Sequence, residues 1–264
     1  MEKLKIAITL AGYDDTSRER IQNALDEPAM HELCTPVVMD EKEALRKLEE
    51  STIDAVVLAQ KELATCPADA LEVIVTDKTN IILLAKEPEA EDIVKLRDIL
   101  ERDFDFRSPR LAIAVEQPMQ NPELASQVTN EQGINTYGPY TLEQLLAEDK
   151  ARHFDGIVTT DKALAQRIIT ATTEEAPVRF FAGRDTIVTA IYKPVQMDEE
   201  DGLADVSWLT HPFFVATDVI RNRAFYDEAR QNPLPKLFRD KRDDRKKDDA
   251  PQANSDNDEK GQTS

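Results

Sequence analysis

Glycine is scarce in this chain: 264 residues contain seven, where an average usage of ~7% would supply roughly eighteen. They are Gly12, Gly133, Gly138, Gly156, Gly183, Gly202 and Gly261, and no two fall within four residues of each other. A G-x-G-x-x-G or Walker loop is thereby excluded, because such loops use closely spaced glycines to bring backbone N–H groups onto phosphate oxygens. Cysteine is nearly absent too. Cys34 and Cys66 are too few for a disulfide framework, and no neighbouring residue suggests an activating base, so both are expected as reduced thiols. No run approaches the ~18 apolar residues of a membrane span. Met1 to Leu10 reads as charged residues leading into a strand, without a cleavable signal pattern. The expected location is the cytoplasm, with no membrane partner.

Charge is plentiful and of one sign. The formal net charge is −19, and from Lys236 onward eight basic residues balance eight acidic ones, so the preceding body carries the whole excess. A body this acidic repels nucleic acid and needs a local basic pocket to collect anionic ligands. Hydrophobic residues make up 41% of the chain, enough for a real core. From about Lys236 almost nothing apolar remains, and that stretch cannot offset its ordering entropy, so 236–264 is expected to be a disordered charged tail.

Apolar runs alternate with helical patterns along the body. Lys5–Leu10 reads as a buried strand, Thr16–Asp26 as a helix, Pro36–Met39 as a strand, Glu41–Glu50 as a helix and Ile53–Ala59 as a strand. Such alternation implies crossovers and a mostly parallel sheet covered on both faces. Val73–Thr76 and Asn80–Ala85 flank Asp77-Lys78-Thr79, which predicts one antiparallel hairpin. Pro88–Phe104 is the clearest helix, with Ile93, Leu96 and Leu100 on one face. Arg110–Val115 is a strand, and Pro122–Gln132 a helix closed by Gly133. Thr141-Leu-Glu-Gln144 is a capping box opening a helix to about Arg152. Asp155–Thr159 is strand-like, Asp161 caps a helix to about Thr173, Val178–Phe181 and Thr186–Ile191 are strands, and Thr210 or His211 opens a last helix ending near Arg230.

Several segments, taken in order, carry a family likeness. They are Leu33–Val38, Lys95–Arg97, Phe104–Ile113, Gly133–Tyr140, His153–Ile157, Phe181–Gly183, Val219–Arg223 and Tyr226–Leu234. In this order they resemble the Bacteroidetes-type 4-hydroxythreonine-4-phosphate dehydrogenases of vitamin B6 synthesis, over about residues 4 to 242. The resemblance implies an α/β, two-lobed isocitrate/isopropylmalate-dehydrogenase-like fold. Its first lobe would come from 1–62 and 162–235, and its second from 63–161. It also implies a homodimer, with a heterodimer with an intact family member as an alternative, NAD as oxidant, and a divalent metal held by three histidines.

The family's working motifs are replaced. Its Gly-His-Thr-Glu segment falls where this chain has Glu62–Glu72; its His-Pro-Leu loop becomes Lys86-Glu87-Pro88, and its Asn-Pro-His-Ala-Gly motif becomes Gln117–Asn121. Its His-Asp-Gln-Gly motif becomes Thr160-Asp161-Lys162-Ala163, and its Arg-Thr-Ser-x-Asp-His-Gly segment becomes Val188–Pro194. The opening glycine-rich turn is reduced to Gly12-Tyr13-Asp14-Asp15. His31, His153 and His211 all lie outside these motifs. The expectation is a dehydrogenase-like protein without catalysis, acting by binding a partner or ligand, with neither metal nor NAD as cofactor. Asp161 remains as a vestigial catalytic candidate, though a helix N-cap explains it fully. Lys162 and Lys193 are the cations left to bind an anion. The alternative is a residual NAD-dependent dehydrogenase acting on a phosphorylated hydroxy amino acid, and only that activity would bring back NAD and a metal.

Overall fold

The computed structural model describes residues 3–60, 64–193 and 207–232. The expected tail at 236–264 lies outside them. Among the described residues ten strands are observed: β1 (Lys5–Thr9), β2 (Thr35–Val38), β3 (Ala55–Leu58), β4 (Leu71–Val75), β5 (Asn80–Leu83), β6 (Leu111–Ala114), β7 (Thr136–Tyr140), β8 (Gly156–Thr159), β9 (Val178–Ala182) and β10 (Val188–Ile191). The helices are α1 (Asp15–Leu25), α2 (Pro28–Leu33), α3 (Glu41–Glu49), α4 (Ala90–Phe104), α5 (Leu124–Gln132), α6 (Leu142–Leu146), the 3-10 turn η1 (Ala147–His153), α7 (Lys162–Thr172) and α8 (Ser207–Gln231).

All ten strands form one sheet in the order β2-β1-β3-β10-β9-β4-β5-β8-β6-β7. Six of the nine pairings are parallel. The expected hairpin β4–β5 is antiparallel, and so are β4–β9 and β9–β10, which the alternation pattern did not foretell. Both edge strands carry a proline, Pro36 in β2 and Pro139 in β7, where a missing N–H costs no ladder bond and blunts edge-to-edge pairing. Gly138 has φ +109°, and a Cβ there would lie 2.7 Å from the Ile113 carbonyl oxygen, so this glycine is what lets β7 approach β6.

Helices cover both faces. Residues of α1, α2, α4, α5 and α8 share one core with Ile6, Ile8, Ile82, Ile113 and Phe180. On the opposite face α6, η1 and α7 pack with Ile74, Ile81 and Ile157, while α3 packs with Val56, Phe181 and Val188. Strands β2, β1, β3, β10 and β9 derive from the expected first lobe, and β4, β5, β8, β6 and β7 from the second. We keep that two-lobe division as a proposal; α7, counted with the first lobe, packs on β5 and β8. The described residues up to Asp227 belong to one compact unit.

Some local expectations need correcting. The connection carrying His31 is the short helix α2, started by Pro28 at its first position. The helix expected from Thr141 to Arg152 breaks after Leu146, because Glu148 and Asp149 sit at φ 53° and 59°. Residues 136–140 form a strand despite containing both breaker residues, since an edge position tolerates them. The last helix, Ser207–Gln231, keeps Pro212 inside it; the Pro212 carbonyl accepts a bond from Thr189 Oγ1 at 3.1 Å.

Candidate functional site

Strands β5 and β6 lead into α4 and α5 on one face, whereas β8, lying between them, leads into α7 on the other. Neighbouring connections that leave in opposite directions open a crevice beyond the carboxyl ends of the strands, the usual ligand position in such sheets. Here the crevice holds about 140 Å³ and gathers Glu87, Glu116, Gln117, Met119, Thr160 and Asp161. Three of the replaced motifs therefore meet in space.

The carboxylates of this crevice are already engaged. Glu87 Oε2 accepts from the Gln120 amide at 3.1 Å, and Glu116 pairs with Arg167 at 2.6 Å. Asp161 Oδ1 accepts from the amides of Ala163 at 2.7 Å and Leu164 at 3.1 Å, which makes it the N-cap of α7. His31 approaches Asp26 at 3.8 Å, His153 closes η1, and His211 Nδ1 bonds the Ala176 carbonyl at 3.0 Å, so the structure does not bring the histidines together. Among the described residues no group of three His, Cys, Asp or Glu could hold a metal ion. The described donors do not fit the family's three-histidine metal site.

Three further helix N-termini are equally committed. Asp14 caps α1, Asp40 caps α3, and Glu89 with Asp92 forms a reciprocal capping box on α4. Each carboxylate takes amides that a nucleotide phosphate would use and adds repulsion to it.

A larger cavity, about 650 Å³, lies on the α7 side of the sheet and abuts the crevice where Asp161 meets Lys162. Its floor is Glu72 and Ile74 of β4 with Arg179 of β9, all on one face because Ile74 pairs with Arg179 across the strands. Its walls are Lys162 and Gln166 of α7, Tyr192 and Lys193 just past β10, and Thr65 and Cys66 before β4. The Gly-His-Thr-Glu replacement and the last replaced segment thus converge here.

The floor is an ion pair. Arg179 Nε meets Glu72 Oε1 at 2.6 Å, with the side chains 9% and 13% exposed, and Arg179 Nη1 donates to the Ala64 carbonyl at 2.6 Å. Beside that internally neutral pair, Lys162 and Lys193 add ammonium groups to the cavity wall. The Tyr192 hydroxyl donates to Gln166 Oε1 at 2.5 Å. Burial and then the Glu72 charge raise the Tyr192 pKa, against the pull of Arg179 and of the Gln166 bond. Burial, followed by Glu72, likewise raises that of the Cys66 thiol.

Lys162 and Lys193 were legible in the sequence; Glu72, Arg179, Tyr192 and Gln166 were not. The available signal was a charge inside each of two apolar strands, Leu71-Glu-Val-Ile-Val and Val178-Arg-Phe-Phe-Ala. Cys34 is fully buried with a thiol pushed up to about 11 by burial. In a native thiol titration only Cys66 is expected to label, and Cys34 only after unfolding. Prompt labelling of both would show that the packing of α2 on the sheet opens.

No protein-family model matches the chain. It is 31% identical over 176 residues to the 4-hydroxythreonine-4-phosphate dehydrogenase of Bacteroides thetaiotaomicron, covering 61% of this chain and 48% of that relative. The chain thus spans about half the length of the curated relative it matches. Among solved structures, the 4-hydroxythreonine-4-phosphate dehydrogenase of Klebsiella pneumoniae aligns with a TM-score of 0.57 at 13% identity, over 83% of this chain and 98% of that one. That of Burkholderia phymatum aligns with a TM-score of 0.55 at 13% identity, over 83% and 99%. These likenesses concern the fold alone. No helix among the described residues is long and apolar enough to cross a membrane. The chain is thus similar in sequence, over 61% of its length, to one 4-hydroxythreonine-4-phosphate dehydrogenase, and similar in its α/β fold to solved structures of others.

Proposed function

We propose that the protein has kept the dehydrogenase scaffold without its oxidation chemistry and binds a small anionic molecule in the 650 Å³ cavity. The observation that carries this reading is the convergence of the replaced motifs. Where the family has histidines, these positions bring lysine, carboxylate caps and an internal ion pair. In the proposed state Lys162 and Lys193 hold the anionic group, Tyr192 and Gln166 orient its polar atoms, and Ile74, Leu83 and Ala165 cover its apolar part. Neither metal nor NAD takes part, and Asp161 serves as a helix cap.

Calorimetry against small carboxylates and inorganic phosphate should detect binding. Removing two charge-assisted contacts, each contributing about 1.5–3 kcal/mol, with Lys162→Ala and Lys193→Ala together should weaken it at least about a hundredfold. Affinity unchanged by both substitutions would refute the site. The residual-dehydrogenase alternative has its own readout. The dialysed protein should hold no stoichiometric divalent metal and form no NADH from 4-phosphohydroxy-threonine at high enzyme concentration. One tightly held zinc per chain, or turnover abolished by Asp161→Ala, would establish that alternative instead.

A further inference from the structure

Helix α8 buries one side and leaves two large aromatic side chains exposed on the other. Phe213, Ala216 and Val219 are buried in the core, while Phe214 and Phe225 are 50% and 53% exposed. Asp218 and Arg221 lie between these two phenylalanines, with side chains 69% and 57% exposed. The steps from Phe214 to Asp218, Arg221 and Phe225 are four, three and four residues, so all four share one side of the helix.

That pattern reads the same in both directions about a point between Val219 and Ile220, except that the charge changes sign. Two copies laid antiparallel across this point would set Phe214 against the partner's Phe225 and Asp218 against the partner's Arg221. An in-register parallel pair would set Asp218 against the partner's Asp218, and like charges would face each other. Within one chain Asp218 and Arg221 approach only to 4.0 Å. We infer that this face of α8 is the contact surface of a two-fold symmetric dimer in which α8 packs antiparallel against its own copy. The self-complementary charge order selects both the occupant, a second copy, and its direction. This inference is independent of what the cavity binds. It also differs from the homodimer implied by family resemblance, whose interface would come from the second lobe; α8 belongs to the expected first lobe.

The stripe from Phe214 to Phe225 runs about 16 Å along the helix axis, a small contact, so association in the micromolar range is expected. Sedimentation equilibrium of the full chain from about 1 to about 100 µM at ~0.15 M salt should show a monomer–dimer equilibrium. Asp218→Arg or Arg221→Asp alone sets like charges against each other and should weaken the dimer at least about tenfold. The double variant D218R/R221D should restore it. Phe225→Glu should leave a folded monomer, as circular dichroism would confirm, because this side chain lies outside the core. Chains carrying Phe214→Cys should cross-link with chains carrying Phe225→Cys when mixed, and neither should do so alone. A monomer at every concentration would overturn the inference, as would a dimer indifferent to these substitutions. So would a dimer that forms only after truncation beyond Gln231, since the chain's own C-terminal segment would then be the occupant.

Discussion

Replacing Asp103 with alanine is expected to lower the midpoint of thermal unfolding by about 10 °C. Asp103 stands in the last turn of α4 with no exposed surface. Its Oδ1 accepts from Arg102 Nε and from Arg223 Nε, each at 2.8 Å, and its Oδ2 accepts from Arg223 Nη2 at 3.1 Å. Around this carboxylate, Asn222 Nδ2 donates to the Asp103 carbonyl at 2.9 Å, and Arg223 Nη1 donates to the Asp185 carbonyl at 2.7 Å. One buried acid thus fastens α8 to the end of α4 and to the loop after β9. Removing it leaves a largely buried guanidinium without its counter-charge, a loss of about 3–5 kcal/mol. For a body of this size each kcal/mol shifts the midpoint by roughly 2–4 °C. The exposed pair Arg97–Asp98 is the control: Asp98→Ala should move the midpoint by no more than about 2 °C. Equal shifts from the two substitutions would show that the Asp103 cluster does not clamp the helix.

A second large effect is expected at the cavity floor. Glu72→Ala removes the ion-pair partner of Arg179 and leaves it with the Ala64 carbonyl and the Phe181 ring, in a side chain 9% exposed. The expected cost is again about 3–5 kcal/mol. The double substitution Glu72→Leu with Arg179→Met removes both charges and should recover most of that stability, since a buried pair contributes little net energy over a well-packed apolar one. The pair's charges also act on Tyr192. Glu72 disfavours the phenolate and Arg179 favours it, so Glu72→Gln should lower the Tyr192 pKa and Arg179→Met should raise it. Alkaline ultraviolet titration reads both directions. Shifts of the same sign in the two variants would mean that rearrangement, not charge, dominates at this floor. Because Glu72→Gln keeps a hydrogen-bonding side chain, it remains informative if the alanine variant does not fold.

The sequence by itself determined most of the secondary structure and its class. Runs buried on both faces, such as Ile6–Thr9 and Ala55–Leu58, declare strands of a covered parallel sheet because both sides of the pleat must be apolar. Thr141 and Asp161 announce helix starts because each bonds an amide two or three residues onward, an interaction local in sequence. The scarcity of glycine and the displaced histidines were likewise visible without coordinates. Tertiary structure alone decided that β9 runs antiparallel to both β4 and β10. Pairings such as Ile74 with Arg179 join residues more than a hundred apart, and apolar periodicity does not encode a neighbour. It also made the break at Glu148 and Asp149, where helix-compatible residues take left-handed backbone values. Most of the candidate site belongs to this second class. Glu72, Arg179, Gln166 and Tyr192 are ordinary residues in their own segments, and only the sheet order places them around one cavity beside Lys162 and Lys193, because a site made by crossovers has no local signature.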